Sequence, residues 1–130
     1  MSKQSSRRPL QILLIDDDLM LLYSLRNVLE QEGHVVTTAG GGEEGLDVFT
    51  DALGRGTAFS VVITDLGMPD TGGRTVAASV KAMSPQTFVI LLTGWGDTLQ
   101  AQNAIPAHVD RMLSKPPRLA ELRAALAAVP

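Results

Sequence analysis

Short apolar runs alternate with amphipathic stretches five times along this chain, and few architectures accept that order. Leu10–Ile15 (LQILLI), Phe59–Thr64 (FSVVIT) and Thr87–Leu92 (TFVILL) are nearly continuous in apolar residues, as strands covered on both faces are. His34–Ala39 is β-branched and strand-like, and Val109–Leu113 is a weaker fifth run. Between them, residues 19–31 place Leu22, Leu25, Val28 and Leu29 at helical spacing, with Asp18 as cap and Glu32-Gly33 as stop. Glu43–Leu53 puts Leu46, Phe49 and Leu53 on one helix face behind an acidic first turn, and Gly40-Gly41-Gly42 turns the chain into it. Arg74–Met83 is a third helix closed by Ser84-Pro85, Asp97–Asn103 a short fourth that Pro106 ends, and Leu119–Val129 the last. Strictly alternating strands and helices with short connections predict an α/β fold. Right-handed crossovers make it a five-stranded parallel sheet, doubly wound and flavodoxin-like, with strand order 2-1-3-4-5.

The chain has 130 residues, enough for one self-sufficient core, and shows neither an internal repeat nor a second domain. Residues 1–8 are polar and are expected to form a flexible lead-in to one domain over 9–130. Hydrophobic residues make up 45%, and the net charge of −3 leaves no basic footprint for nucleic acid. The chain has no cysteine, which removes disulfides, thiolate catalysis and cysteine zinc sites and agrees with a cytoplasmic setting. Its longest apolar runs fall far short of the ~20 residues a membrane helix needs, so membrane insertion is not expected. The Leu10–Ile15 run is too short for a signal-peptide core.

Ligands of an open parallel sheet bind beyond the carboxyl ends of its strands. Four of the five ends here carry polar groups: Asp16-Asp17 after the first strand, Asp65 after the third, Thr93 after the fourth and Lys115 after the fifth. The expected fold therefore gathers three carboxylates, a hydroxyl and an ammonium on one rim. Like carboxylates ~4 Å apart repel by roughly 4 kcal/mol at an effective dielectric near 20. A divalent cation relieves that repulsion, and an all-oxygen, carboxylate-rich set suits Mg²⁺. A carboxylate is a competent nucleophile toward phosphorus, and phosphoryl transfer needs mainly positioning and charge neutralisation.

These residues resemble the receiver domains of response regulators in two-component signalling. The resemblance rests on ILLIDDD at 12–18, VVITDLGMPDTGG at 61–73, ILLTGWG at 90–96, LSKPP at 113–117 and the fivefold alternation, and covers about residues 10–129. It implies that Asp65 accepts a phosphoryl group from a histidine kinase phosphohistidine, or from a phosphotransfer domain, and thereby switches contacts with a downstream target. It implies a Mg²⁺ site made by Asp17 directly, Asp16 through water, Asp65 and the Gly67 carbonyl. Thr93 would swing toward the phosphoryl group and Lys115 would pair with it. Pro69 would shape the loop after Asp65, Gly73 would open the third helix, and Pro116 would follow a cis peptide bond. The domain would catalyse its own phosphorylation and dephosphorylation without being a turnover enzyme. The lead-in and the TGWG loop are also similar to receivers attached to hybrid sensor kinases. Three positions depart from the family's pattern. Met112 stands where an aromatic residue is usual, Gly94 replaces an alanine, and Pro106 shortens the fourth helix.

Plainer readings exist for each residue alone. Asp16-Asp17-Asp18 also reads as a helix-entry cap cluster, Asp65 as a turn residue, and Lys115 as a solvated lysine; their convergence on one rim favours a site. Asp18 is a cap rather than a ligand. His34 and His108 are expected at the surface or in loops, and Glu43-Glu44 in a solvated first turn. Trp95 either shields the site or covers the sheet edge. The triglycine lacks the lysine and hydroxyl residue of a phosphate loop. A haloacid-dehalogenase-type phosphatase also uses a strand-end aspartate with Mg²⁺, but its Asp-x-Asp is followed closely by Thr, whereas Leu19-Met20-Leu21-Leu22 follows here. A receiver-like interaction module independent of phosphate is the other alternative.

Overall fold

Alternate residues of the first strand feed two separate cores, and this sandwiching of the sheet explains why its central strands are almost continuously apolar. The structure, a computed structural model, describes residues 9–94 and 105–130. Strands β1 (Gln11–Ile15), β2 (Val35–Ala39), β3 (Val61–Asp65), β4 (Phe88–Thr93) and β5 (Arg111–Ser114) form one parallel sheet in the order β2-β1-β3-β4-β5, the order the sequence predicts. Helices α1 (Leu19–Gln31), α2 (Gly42–Gly54), α3 (Gly73–Met83) and α4 (Leu119–Ala127) cover its faces. Ile12, Leu14, Val61, Ile63, Ile90 and Leu92 pack against α1 and α4 through Leu22, Leu25, Leu122 and Leu126. Leu13, Ile15, Val62 and Val89 pack against α2 and α3 through Phe49, Val76 and Val80. Every residue of β3 is buried, as its central place demands. β2 and β5 lie at the edges, and Val35 is 49% exposed.

Most boundaries fall within two residues of the sequence reading. β5 begins at Arg111 because His108 takes a left-handed φ of 70° and Val109 N–H closes a turn onto the Pro106 carbonyl. The expected helix over 97–103 and Trp95 lie outside the described residues. His34 departs from expectation. It is 5% exposed, and its Nδ1 accepts the Leu10 N–H at 3.1 Å while Val35 N–H donates to the Leu10 carbonyl at 2.9 Å. The imidazole thus extends the β1–β2 pairing by one bond, which periodicity alone cannot reveal. Gly33, at φ +96°, ends α1 in the left-handed turn that glycine enters without strain. Among the described residues, no helix is long and apolar enough to cross a membrane.

Candidate functional site

The parallel register brings the carboxyl ends of β1, β3, β4 and β5 to one rim, and the polar residues follow. β1 ends at Ile15, so Asp16 and Asp17 leave the sheet there; Asp65 is the last residue of β3, Thr93 of β4, and Lys115 follows β5. Asp16, Asp17 and Asp65 each offer a carboxylate oxygen within 4.8 Å of the others. Lys115 Nζ sits between two of them, 3.1 Å from Asp16 Oδ2, 3.2 Å from Asp16 Oδ1 and 3.2 Å from Asp65 Oδ2. Residues 99 positions apart in the chain thus form a direct ion pair. Lys115 is joined to Pro116 by a cis peptide bond, as the resemblance implies.

Burial differs sharply among the three carboxylates. Asp16 is 1% exposed and Asp65 5% exposed, whereas Asp17 is open to solvent. Burial raises the Asp16 pKa above the ordinary carboxylate value, and the neighbouring Asp65 charge adds to this; hydrogen bonds from Asp18 N–H and Lys115 offset only part of it. Burial also pulls on Lys115, but the hydrogen bonds and charges of Asp16 and Asp65 together outweigh it and hold its ammonium above the usual lysine value. Asp18 caps α1, accepting Leu21 N–H at 3.3 Å, and takes no part in the cluster. Thr93 is fully buried with its hydroxyl facing the Leu113 carbonyl at 3.5 Å. Met112 is half-buried on β5, opposite Leu91.

Three carboxylates face one ammonium, so the rim carries excess negative charge. Asp16 Oδ2 is buried and, although 3.1 Å from Lys115 Nζ, stands at an angle that gives it no hydrogen bond. A buried carboxylate oxygen that is ion-paired but without a hydrogen bond, beside two further carboxylates, is what a hard divalent cation would satisfy, and the donor set fits Mg²⁺. Beside the cluster opens a cleft of about 700 Å³, lined by Asp17, Met20, Asp65, Gly67, Gly94 and Lys115 among others. A Cβ added at Gly67 or Gly94 would meet no described atom within 4 Å, so both positions border open space in the cleft. Met20 at its mouth is 77% exposed.

One residue of this region escapes sequence reasoning. Asp70, in the loop between β3 and α3, accepts the Gly42 and Glu43 N–H groups at 3.4 and 3.0 Å and so caps α2 from outside. A Pro-Asp-Thr-Gly string signals only a turn; the missing cap at Gly41 was the one available hint. Glu44, read as a solvated first-turn residue, also works locally by accepting Gly40 N–H at 3.0 Å.

This fold with this rim defines a phosphoacceptor domain of two-component signalling, and the chain belongs to the response regulator receiver domain family, whose sequence profile matches residues 12–127. It is similar to the transcriptional regulatory protein GlrR of Escherichia coli, at 38% identity over 85% of this chain and 24% of that protein. It is also similar to the cell cycle response regulator CtrA of Brucella ovis, at 28% identity over 92% of this chain and 50% of that protein. The chain therefore spans about a quarter to a half of the length of these curated relatives. Among solved structures, a response regulator receiver domain protein from Clostridium thermocellum superposes with a TM-score of 0.82 at 34% identity, covering 92% of this chain and 93% of that one. The response regulator TrrA from Thermotoga maritima, in complex with Mg²⁺-BeF, superposes with a TM-score of 0.78 at 26% identity, covering 92% and 98%.

Proposed function

We propose that Asp65 is the phosphoacceptor and that residues 9–130 act as a Mg²⁺-dependent switch. The observation that carries this reading is the meeting of Asp16, Asp17, Asp65 and Lys115 around one rim with an unsatisfied Asp16 oxygen. Asp16, Asp17, Asp65 and the Gly67 carbonyl would hold the cation. When bound, Mg²⁺ neutralises carboxylate and phosphoryl charge. A carboxylate oxygen of Asp65 attacks the phosphorus of a phosphohistidine presented through the open cleft. The new P–O bond forms as the P–N bond breaks, and the electron pair leaves with the donor imidazole. Lys115, already 3.2 Å from Asp65 Oδ2, turns its ammonium to a phosphoryl oxygen. Thr93 exchanges the long contact with Leu113 for a hydrogen bond to the phosphoryl group, and that movement carries the signal toward β5.

The donor is a histidine kinase or a phosphotransfer domain in the cytoplasm. The domain hydrolyses only its own acyl phosphate and turns over no separate substrate. The Mg²⁺-BeF complex of TrrA supports the cation and phosphoryl assignment by analogy. The test is mass spectrometry after incubation with acetyl phosphate and Mg²⁺. A single phosphoryl adduct is expected on the wild type and none on Asp65→Asn. An equal adduct on the variant rules Asp65 out as the acceptor.

A further inference from the structure

Helix α2 has no side chain of its own to cap it. Its N-cap is Gly41, and the free N–H groups of its first turn are taken by Asp70, 27 and 28 residues further along the chain. Hydrogen bonds from Glu43 N–H, then Thr71 N–H, hold the Asp70 carboxyl below the ordinary value. The approach is close: a Cβ on Gly42 would run into the Thr71 carbonyl oxygen, and one on Gly41 would lie 3.2 Å from Asp70 Oδ2. The same loop carries Gly67. Its base is closed by Leu66 N–H to the Leu92 carbonyl (2.9 Å) and by Gly73 N–H to the Leu66 carbonyl (2.8 Å). Met68, 8% exposed, anchors its inner half in the core, and Asp70 fixes its outer half to α2.

We infer that Asp70 is a positioning residue for the cation site: by tying the loop to the N-terminus of α2 it sets where the Gly67 carbonyl stands. This rests on the reading of Asp16, Asp17, Asp65 and Gly67 as the Mg²⁺ set. A carbonyl on a loose loop must be ordered when the ion binds, and that ordering weakens affinity. Ligand-supporting contacts outside the coordination sphere are worth about tenfold or more in metal affinity.

The test is a Mg²⁺ titration of the full chain followed by amide NMR, with urea unfolding in parallel. Asp70→Ala should raise the Mg²⁺ Kd about tenfold, and Asp70→Asn, which keeps one acceptor oxygen, should fall between. Adding Gly41→Ser to Asp70→Ala supplies a local cap. Stability should return while Mg²⁺ binding stays weak, because the new hydroxyl holds the helix and not the loop. An unchanged Kd in Asp70→Ala, or a Kd restored together with stability in the double variant, would overturn the inference. If wild-type amides around residues 16, 17, 65 and 67 show no saturable response, the metal reading itself falls. A wild type that titrates beside an indifferent Asp70→Ala sinks only the role of Asp70.

Discussion

Replacing Asp16 by asparagine should make the metal-free protein more stable, which is unusual for a change at a buried polar site. Asp16 is 1% exposed, and burial, the largest influence on it, raises its pKa. A carboxyl with a raised folded pKa contributes stability that is fully present below its unfolded value of 3.8 and is lost as pH rises through the folded value. At neutral pH the ionised group therefore works against the fold. Attraction to Lys115 Nζ at 3.1 Å is about 5 kcal/mol at an effective dielectric near 20. Asp65, at most 4.8 Å away, gives back at least about 3.5 kcal/mol of repulsion at the same dielectric. Asp17 is open to solvent, which screens its charge. What then chiefly offsets the cost of burying the charge is the Asp18 N–H hydrogen bond, which does not depend on a full negative charge. Asparagine keeps the volume and the Oδ1 acceptor for Asp18 N–H, now at 2.8 Å, and removes the charge. In EDTA, Asp16→Asn should gain on the order of 1–2 kcal/mol, seen as a urea midpoint about 0.5–1 M higher with an unchanged slope. Mg²⁺ should narrow or reverse the order: at tenfold excess over Kd it adds about 1.4 kcal/mol to the wild type and little to the variant. A variant less stable than wild type in EDTA would refute the charge argument. An equal Mg²⁺ gain in both would remove Asp16 from the cation set.

His34→Leu keeps an apolar body but strands the Leu10 N–H in a buried setting, so chemical denaturation should show a loss of about 1–3 kcal/mol despite the added hydrophobicity. Gly73→Ala would drive a Cβ into the Asp65 carbonyl oxygen and against Leu91 Cδ1 at 2.7 Å; about 1–3 kcal/mol should be lost in thermal melts, with slower phosphorylation by acetyl phosphate because the Asp65 backbone must shift. The raised pKa of Lys115 makes its contribution fully present below 10.5 and lost as pH rises through the folded value. Wild-type stability in a denaturation series above that pH should therefore fall through a transition that Lys115→Met lacks.

What the sequence made legible was whatever depends on pattern. The continuous apolar runs of β1, β3 and β4 announce strands with two covered faces, and their order dictates a parallel sheet whose rim must collect Asp16, Asp65, Thr93 and Lys115. Topology alone brings Lys115 and Asp16 to one rim, where the structure pairs them directly. What stayed hidden depends on a single side chain meeting a backbone group far away in sequence. His34 offers its ring nitrogen to Leu10, and Asp70 serves α2 from another loop; neither leaves a periodic trace. The late start of β5 was hidden for a related reason. Asp110 Oδ2 takes both Val89 N–H at 2.8 Å and the Lys81 ammonium at 2.7 Å, a lateral tie that pins the edge strand and that propensity cannot foresee.

The charge imbalance on the rim bears directly on how such a domain can switch. One ammonium cannot neutralise three carboxylates, and among the described residues no second cation contacts Asp16 or Asp65. The metal-free rim is thus held at an electrostatic cost that a divalent ion relieves, whereas a phosphoryl group adds negative charge and recruits whatever positive or hydrogen-bonding group can reach it. Lys115 is already in place, at the start of the segment leading from β5 into α4. Thr93 is one strand away and fully buried; its hydroxyl makes a long 3.5 Å contact with the Leu113 carbonyl of β5, while its backbone carbonyl accepts Lys115 N–H at 2.9 Å. On the proposed reading, charge arriving at Asp65 would draw the Thr93 hydroxyl away from that long contact, and β5 is the element that would lose it.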